Sequence, residues 1–153
     1  MRAARGVVLE PLWLGRRKKL AVVPPLHALP RVMALAERYD NFFASVGVHP
    51  DHAEGESLDE DALLQRAAHP KVVAIGETGL DYFRLNGRSV LDMAWQRERF
   101  RIHIRAARQC AKPLIIHTRS ASKDTLDILK EEGEDAGGGS GRYGLRAVVC
   151  GRF

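Results

Sequence analysis

Short apolar runs and longer amphipathic stretches alternate along most of the chain. The apolar runs cover Phe42–Val48, Val72–Ile75 and Leu114–Ile116, and each run stops at a polar residue or a glycine. Uninterrupted runs of this length are typical of strands that are buried on both faces, because half-exposed strands alternate between apolar and polar positions. The pattern therefore predicts three buried strands.

The segments between these runs have the periodicity of helices. Ser57–Glu60 has the sequence of a capping box, in which Ser57 caps the helix and Glu60 reciprocates. Gly133 follows the last amphipathic stretch and is placed as the C-terminal stop of its helix. The sequence predicts helices over about residues 29–39, 57–69, 92–111 and 122–132.

The order of these elements indicates the fold class. Strands that alternate with helices form a parallel sheet with helical crossovers, so an α/β fold is predicted. The pattern fits part of a barrel or a doubly wound sheet. The chain has 153 residues, whereas a complete eight-stranded α/β barrel usually needs about 250.

The two ends of the chain differ in character from its middle. Residues 1–28 show no clean period, and Gly137–Gly141 has the composition of a flexible linker. We therefore expect a loosely ordered head over residues 1–28, a folded domain over 29–136 and a divergent Gly-rich tail over 137–153. No regular structure is assigned to the tail.

Charge and cysteine content limit the partners and the compartment. The net charge of +5 arises within residues 1–27, and the remainder is balanced, so the charge does not indicate a DNA-binding face on the folded body. Cys110 and Cys150 are too few and too far apart for a disulfide framework. We expect the reducing environment of the cytoplasm or nucleus. A mitochondrial presequence is disfavoured because the basic head lacks Ser and Thr, and no apolar run is long enough for a membrane span.

Three residues that can bind a metal follow the three predicted strands: His49, Glu77 and His117. Ligands of parallel α/β sheets bind at the carboxyl ends of the strands, so these side chains should converge. Glu and His bind Mg²⁺, Mn²⁺ or Zn²⁺, which can lower the pKa of a bound water towards neutrality. Spacing alone leaves other roles open. Glu77 can cap a turn, His117 can be a hydrogen-bonded core histidine, and His49 before Pro50 can be structural.

Three segments resemble the TatD-type deoxyribonuclease family in sequence, order and spacing. The resemblance extends over about residues 29–136. It is carried by Ser45–Pro50, by Ala74–Tyr82, and by Gln96 and Phe100 followed by Lys112–Arg119.

The resemblance implies a TIM-like barrel that uses a divalent metal ion (Mg, Mn or Zn) to hydrolyse the phosphodiester bonds of DNA, often as an exonuclease. It implies that Glu77 and His117 are catalytic metal ligands, and that His49 lines the pocket and contacts substrate. Asp81 can brace a ligand, and Arg119 can clamp phosphate. Both residues can equally belong to ion pairs that stabilise the fold.

The chain also departs from the family pattern. The family's opening His-x-His pair is absent, and the Gly-rich tail stands where later metal ligands are expected. We therefore expect a partial (β/α) barrel with parallel strands, incomplete at both ends. Three functions remain open: a DNA hydrolase, a catalytically inactive truncated isoform, and a related metal hydrolase that acts on amides or lactones. Protein partners are not predicted.

Overall fold

The computed structural model describes residues 7–9, 15, 17–22, 26–55, 58–134 and 147–150. Strands and helices alternate along most of this part of the chain. The strands are β1 (Val7–Leu9), β2 (Lys19–Val22), β3 (Phe42–Val46), β4 (Val72–Asp81), β5 (Leu114–Arg119) and β6 (Ala147–Cys150). The α-helices are α1 (Leu29–Arg38), α2 (Glu60–Ala67), α3 (Ala94–Gln109) and α4 (Ser122–Glu134).

The described strands form one sheet in the order β1-β2-β3-β4-β5-β6. Strands β2 to β6 are parallel, and β1 pairs antiparallel with β2. A helix connects each parallel strand to the next, because parallel neighbours need a crossover connection. The five parallel strands curl into half of a barrel. The predicted α/β class and partial barrel are confirmed.

Strand β4 is much longer than predicted. It runs from Val72 to Asp81 rather than ending at Ile75, so Glu77 lies inside the strand and not at its end. Its pairing with β5 shifts register between Gly76 and Thr78, and the Gly76–Glu77 peptide bond is cis. A shift of one residue moves the following side chains to the opposite face of a sheet. The apolar pattern therefore changes at Gly76 although the strand continues.

The helix boundaries also differ in detail from the prediction. Helix α2 begins at Glu60, and its N-cap is Asp59, whose carboxylate accepts a hydrogen bond from the Ala62 N–H at 2.7 Å. The predicted cap, Ser57, lies outside the described residues. Helix α4 continues through Gly133 to Glu134, so Gly133 is not its stop.

Parts of the head and tail belong to the sheet. Lys19–Val22 pairs in parallel with β3, and Ala147–Cys150 pairs in parallel with β5. Strands β1 and β2 therefore lie within the predicted head, and strand β6 lies within the predicted tail. Gly137–Gly141 lies outside the described residues. The three-segment division itself stays a prediction.

The apolar core lies on both faces of the sheet. The larger cluster packs helices against the sheet and includes Phe100 and Ile104 of α3 together with Leu114 and Ile116 of β5. A smaller cluster contains Ile115 of β5, which faces the opposite way because strand side chains alternate. His117 has the same parity as Ile115, so it faces the side away from the helices. Within the described residues, no helix combines the length and the hydrophobicity needed to cross a bilayer.

Candidate metal centre

His49, Glu77 and His117 converge at the carboxyl-terminal edge of the sheet. The His117 Nδ1 atom lies 3.3 Å from Glu77 Oε1 and 3.2 Å from His49 Nε2. His49 Nε2 and Glu77 Oε1 are 3.9 Å apart. The three side chains are 17–18% exposed, so the group is sheltered but open to solvent. The structure thus brings the three residues predicted from the sequence together. Among the described His, Cys, Asp and Glu residues, these three form the cluster that could hold a metal ion.

The register shift in β4 positions Glu77 beside His117. After the shift, Gly79 pairs with His117 and Asp81 pairs with Arg119. Gly79 has a φ of +136°, and a Cβ added there would lie 2.0 Å from the His117 carbonyl oxygen. Only glycine tolerates both that backbone conformation and that approach. The Gly-Glu-Thr-Gly sequence therefore lets β4 pass close behind the His117 backbone.

His117 is held by two carboxylates on opposite sides of its ring. Its Nε2 lies 3.0 Å from Asp81 Oδ2, and its Nδ1 faces Glu77. Burial by itself would lower the pKa of His117, but the hydrogen bonds to Glu77 and Asp81 outweigh burial and raise it. With Nε2–H donated to Asp81, the neutral ring has its lone pair on Nδ1, which faces Glu77 and accepts from the His49 Nε2–H. This carboxylate–histidine arrangement is common among histidines that bind metals.

His49 has the same neutral tautomer as His117 but turns its other ring nitrogen towards the site. Its Nδ1 accepts a hydrogen bond from the Asp51 N–H at 3.1 Å, so the neutral ring carries its proton on Nε2, the atom that faces Glu77 and His117. Burial and the neighbouring His117 lower the pKa of His49, against the opposing effect of Glu77 and Asp51. His49 is therefore a neutral hydrogen-bond donor towards the site.

The donor set supports a divalent cation between Glu77 and His117. Glu77 offers a carboxylate oxygen and His117 an unprotonated imidazole nitrogen, both suited to Mn²⁺ or Zn²⁺. Binding through His49 Nε2 would require that atom to lose its proton while Nδ1 still accepts from Asp51. His49 thus fits less well as a ligand than as a donor to a bound anion.

Three buried polar residues of α3 hold the segments that carry the site: Gln96, Arg99 and His103. This role was not predicted for them from the sequence. Gln96 accepts from the Asp81 N–H at 3.0 Å and donates to the Pro50 carbonyl at 3.2 Å. It therefore joins the end of β4 to the segment that carries His49. The signal was the helical spacing, because positions 96, 99, 100 and 103 share one face with the apolar stripe.

Arg99 and His103 hold the segment that follows β3. The Arg99 guanidinium donates to the His49, His52 and Ala53 carbonyls at 3.3, 3.1 and 2.7 Å. The His103 Nε2 accepts from the Val48 N–H at 3.0 Å. Backbone carbonyls outside regular structure need such partners when they are buried. These bonds fix the position of His49.

Asp81 and Arg119 take different positions in the site. Asp81 contacts His117 directly. The Arg119 guanidinium carbon lies 3.5 Å from the centre of the Phe83 ring, so Arg119 stacks on an aromatic ring. The roles given to these two residues stay predictions.

A family model described as TatD related DNase matches residues 15–142. The chain belongs to the TatD family. The match is longer than the predicted resemblance and includes β2, which confirms the family and extends its limits at both ends. The three segments that carried the resemblance contain His49, Glu77, Asp81, His117 and Arg119.

Known TatD proteins are similar to this chain over part of their length. The metal-dependent hydrolase YabD of Bacillus subtilis is 43% identical over 112 residues, which cover 72% of this chain and 42% of YabD. A protein of Citrobacter koseri named 3'-5' ssDNA/RNA exonuclease TatD is 34% identical, over 81% of this chain and 46% of that protein. The solved TatD homologue YjjV of Escherichia coli has a TM-score of 0.63 and 27% identity, over 84% and 51% of the two chains. The chain spans about half the length of these relatives or less.

Proposed function

We propose that this chain is a divalent-metal-dependent hydrolase of the TatD type that acts on the phosphodiester bonds of DNA. The observation that carries the proposal is the pair of Glu77 Oε1 and His117 Nδ1, 3.3 Å apart, with Asp81 on the far side of the imidazole. Family membership and the exonuclease name of the Citrobacter koseri relative support the substrate class.

Each residue of the centre has a role that its contacts support. Glu77 and His117 would hold the cation, and Asp81 orients His117 through the hydrogen bond to Nε2. A bound divalent ion supplies Lewis-acid activation of phosphate and lowers the pKa of water. His49 donates its Nε2 proton towards a phosphate oxygen, in keeping with its pocket-lining role. Arg119, beyond the centre, contributes guanidinium donors that match phosphate geometry.

The number of ligands favours a second candidate function. Among the described residues two side chains fit as metal ligands, whereas catalytic metal sites generally use three or more protein ligands. Two ligands can bind a metal without turning over a substrate. A metal-binding TatD module without hydrolytic activity is therefore the alternative, and a hydrolase of amides or lactones is the third possibility that the same donors allow.

The test compares the unchanged chain with Glu77→Ala, His117→Ala and the matched control Glu98→Ala, whose carboxylate is exposed on α3. Mn²⁺ binding is measured by calorimetry, and cleavage of end-labelled single-stranded DNA is measured with Mg²⁺ or Mn²⁺ and after chelation. We expect the Glu77 and His117 variants to lose Mn²⁺ affinity by roughly tenfold or more and to lose cleavage, while Glu98→Ala keeps both.

Three outcomes separate the candidates. Metal-dependent cleavage that survives Glu77→Ala would remove Glu77 from the site and refute the proposal. Mn²⁺ binding without cleavage of DNA, by folded protein, would favour the non-hydrolytic module. Turnover of an amide or lactone substrate without turnover of DNA would change the substrate class and keep the metal centre.

A further inference from the structure

Phe83 and Arg119 extend the surface of the metal centre beyond the ends of β4 and β5. His117 and Arg119 are two residues apart on β5, so they face the same side of the sheet. The Tyr82 side chain faces the other side, where its hydroxyl donates to Asp124 of α4 at 2.8 Å. Phe83 therefore faces the side of the metal centre. Two residues along a strand span about 6–7 Å, so Arg119 lies about that far from His117 along β5.

The position of Phe83 is coupled to the metal centre by Asp81. One carboxylate oxygen of Asp81 lies 3.0 Å from His117 Nε2, and the other accepts from the Phe83 N–H at 2.9 Å. Asp81 is 7% exposed, so both hydrogen bonds are sheltered from water. The ring is thus placed by the same buried group that orients a proposed metal ligand.

The Phe83 ring is open to solvent although one of its faces is covered. The Arg119 guanidinium carbon lies 3.5 Å from the ring centre, yet Phe83 is 55% exposed. The exposed area must therefore lie on the other face and the edges. Tyr39 is also exposed and aromatic, but it precedes β3 and lies at the opposite edge of the parallel strands. Among the described residues, Phe83 is the exposed aromatic ring at the edge that carries the metal centre.

The segment that begins at Phe83 is basic, which suits a polyanion. Residues 83–90 contain Arg84 and Arg88 and no acidic residue, and both arginines are exposed. Together with Arg119 they place three guanidinium groups on or next to the segment that carries the ring. An aromatic face beside cationic groups binds single-stranded nucleic acid, because bases stack on the ring while the cations contact the backbone.

We propose that Phe83 is a base-stacking platform for a nucleotide next to the phosphate bound at the metal centre, and that Arg119 contacts the backbone of that nucleotide. This inference rests on the proposed nucleic-acid substrate and adds the subsite that holds its base. Stacking is tolerant of base identity because every base has a π face. The subsite therefore selects an unpaired base without selecting its sequence.

The test measures binding by the full 153-residue chain in EDTA, so that cleavage cannot occur. The probes are a fluorescein-labelled thymidine decamer and a decamer of equal charge built from abasic residues. The variants are Phe83→Leu, Phe83→Trp and Tyr39→Leu, the last removing an exposed ring that also lies near an arginine, Arg38, at 5.6 Å.

We expect Phe83→Leu to weaken binding of the thymidine decamer roughly tenfold and to leave binding of the abasic decamer unchanged. Phe83→Trp should keep the preference for the base-bearing probe, because it keeps an aromatic ring, and Tyr39→Leu should change the binding of neither probe. An equal loss on both probes, or no loss on either, would overturn the platform. Loss of the preference in Phe83→Trp would also count against the platform.

Cleavage of the two decamers, measured separately with Mn²⁺, distinguishes the inference from the proposed function. If the chain cleaves DNA and Phe83→Leu does not change the ratio of KM values for the two probes, the platform is wrong and the proposed function stands. If Phe83 controls base-dependent binding but no cleavage occurs, the subsite stands and the hydrolytic function does not. If the chain binds neither decamer in EDTA, the subsite is wrong.

Discussion

Acid should destabilise this protein through His103, a fully buried histidine of α3 that contacts the segment after β3. Its Nδ1 lies 2.8 Å from the Arg99 carbonyl oxygen, and its Nε2 accepts from the Val48 N–H at 3.0 Å. The neutral ring with its proton on Nδ1 satisfies both bonds. A second proton on Nε2 would face another N–H group in a site without water contact. Burial accordingly lowers the pKa of His103 to about 4.

The size of the effect follows from the two protonation states. An unfolded histidine has a pKa near 6.5, so below pH 6.5 the unfolded chain binds a proton that the folded chain refuses until about pH 4. Stability is therefore lost as pH falls through this window. One pKa unit corresponds to about 1.4 kcal/mol, which gives a loss of about 2 kcal/mol at pH 5 and about 3 kcal/mol below pH 4.

Urea unfolding at pH 7.5 and pH 5 measures this loss, and the difference between wild type and His103→Gln isolates it from other titrating groups. The variant should be less stable at pH 7.5 by about 1–3 kcal/mol, because a buried hydrogen-bond partner is lost. Its stability should then fall by about 2 kcal/mol less between the two pH values than that of the wild type. His69→Gln controls for removal of a partly exposed imidazole. An identical pH dependence of wild type and His103→Gln would refute the reasoning.

Two further substitutions, Gly79→Ala and Arg99→Met, test the local geometry around the centre, and Gly87→Ala is the control for the first. Gly79→Ala should lower the free energy of unfolding by about 3 kcal/mol or more, because the new Cβ would lie 2.0 Å from the His117 carbonyl oxygen. Gly87→Ala should lower it by only about 1 kcal/mol, because Gly87 has a φ of +82° but no atom within 4 Å of the added Cβ. Equal losses in urea unfolding would contradict this. Arg99→Met should cost about 2–4 kcal/mol and speed amide exchange in the segment after His49, because its carbonyl contacts are removed; unchanged exchange there would show that Arg99 does not hold the segment.

The sequence was sufficient to predict the alternation of strands and helices and the edge of the sheet at which the site lies. Buried parallel strands are continuous apolar runs, so the run Leu114–Ile116 identified β5, although the strand continues through His117 to Arg119. The same reasoning failed for β4, where Gly76 and Glu77 ended the apolar pattern but the backbone continued to pair with β5. A register shift interrupts the apolar pattern just as the end of a strand does, so hydrophobicity alone does not distinguish the two.

The short strands at the two ends of the sheet were missed for a different reason. Lys19–Val22 lies between a basic run and two prolines, so four residues had too little pattern to stand out. Such strands are defined by the pairing that the rest of the sheet offers, here the register of Leu20 with Phe43. Local sequence does not contain that information.

The sequence indicated which residues form the candidate site better than it indicated what each of them does. Spacing brought His49, Glu77 and His117 together, but only hydrogen bonds distinguish the two histidines. The Asp51 N–H fixes the proton of His49 on the inward nitrogen, whereas Asp81 leaves the inward nitrogen of His117 unprotonated. Such assignments depend on partners that are 2 and 36 residues away in the chain, and the sequence pattern gave no indication of them.

Asp81 connects the two halves of the proposed site. Its position on the face of His117 depends on the extra residue in β4, because without the register shift its side chain would point towards the helices. Once there, its two oxygens are occupied by His117 and by the backbone of Phe83. A buried carboxylate with both oxygens engaged cannot move towards one partner without loosening the other. The geometry at the metal centre and the placement of the aromatic ring are therefore set together, which is the arrangement that a site needs if it is to hold a phosphate and its neighbouring base at a fixed separation.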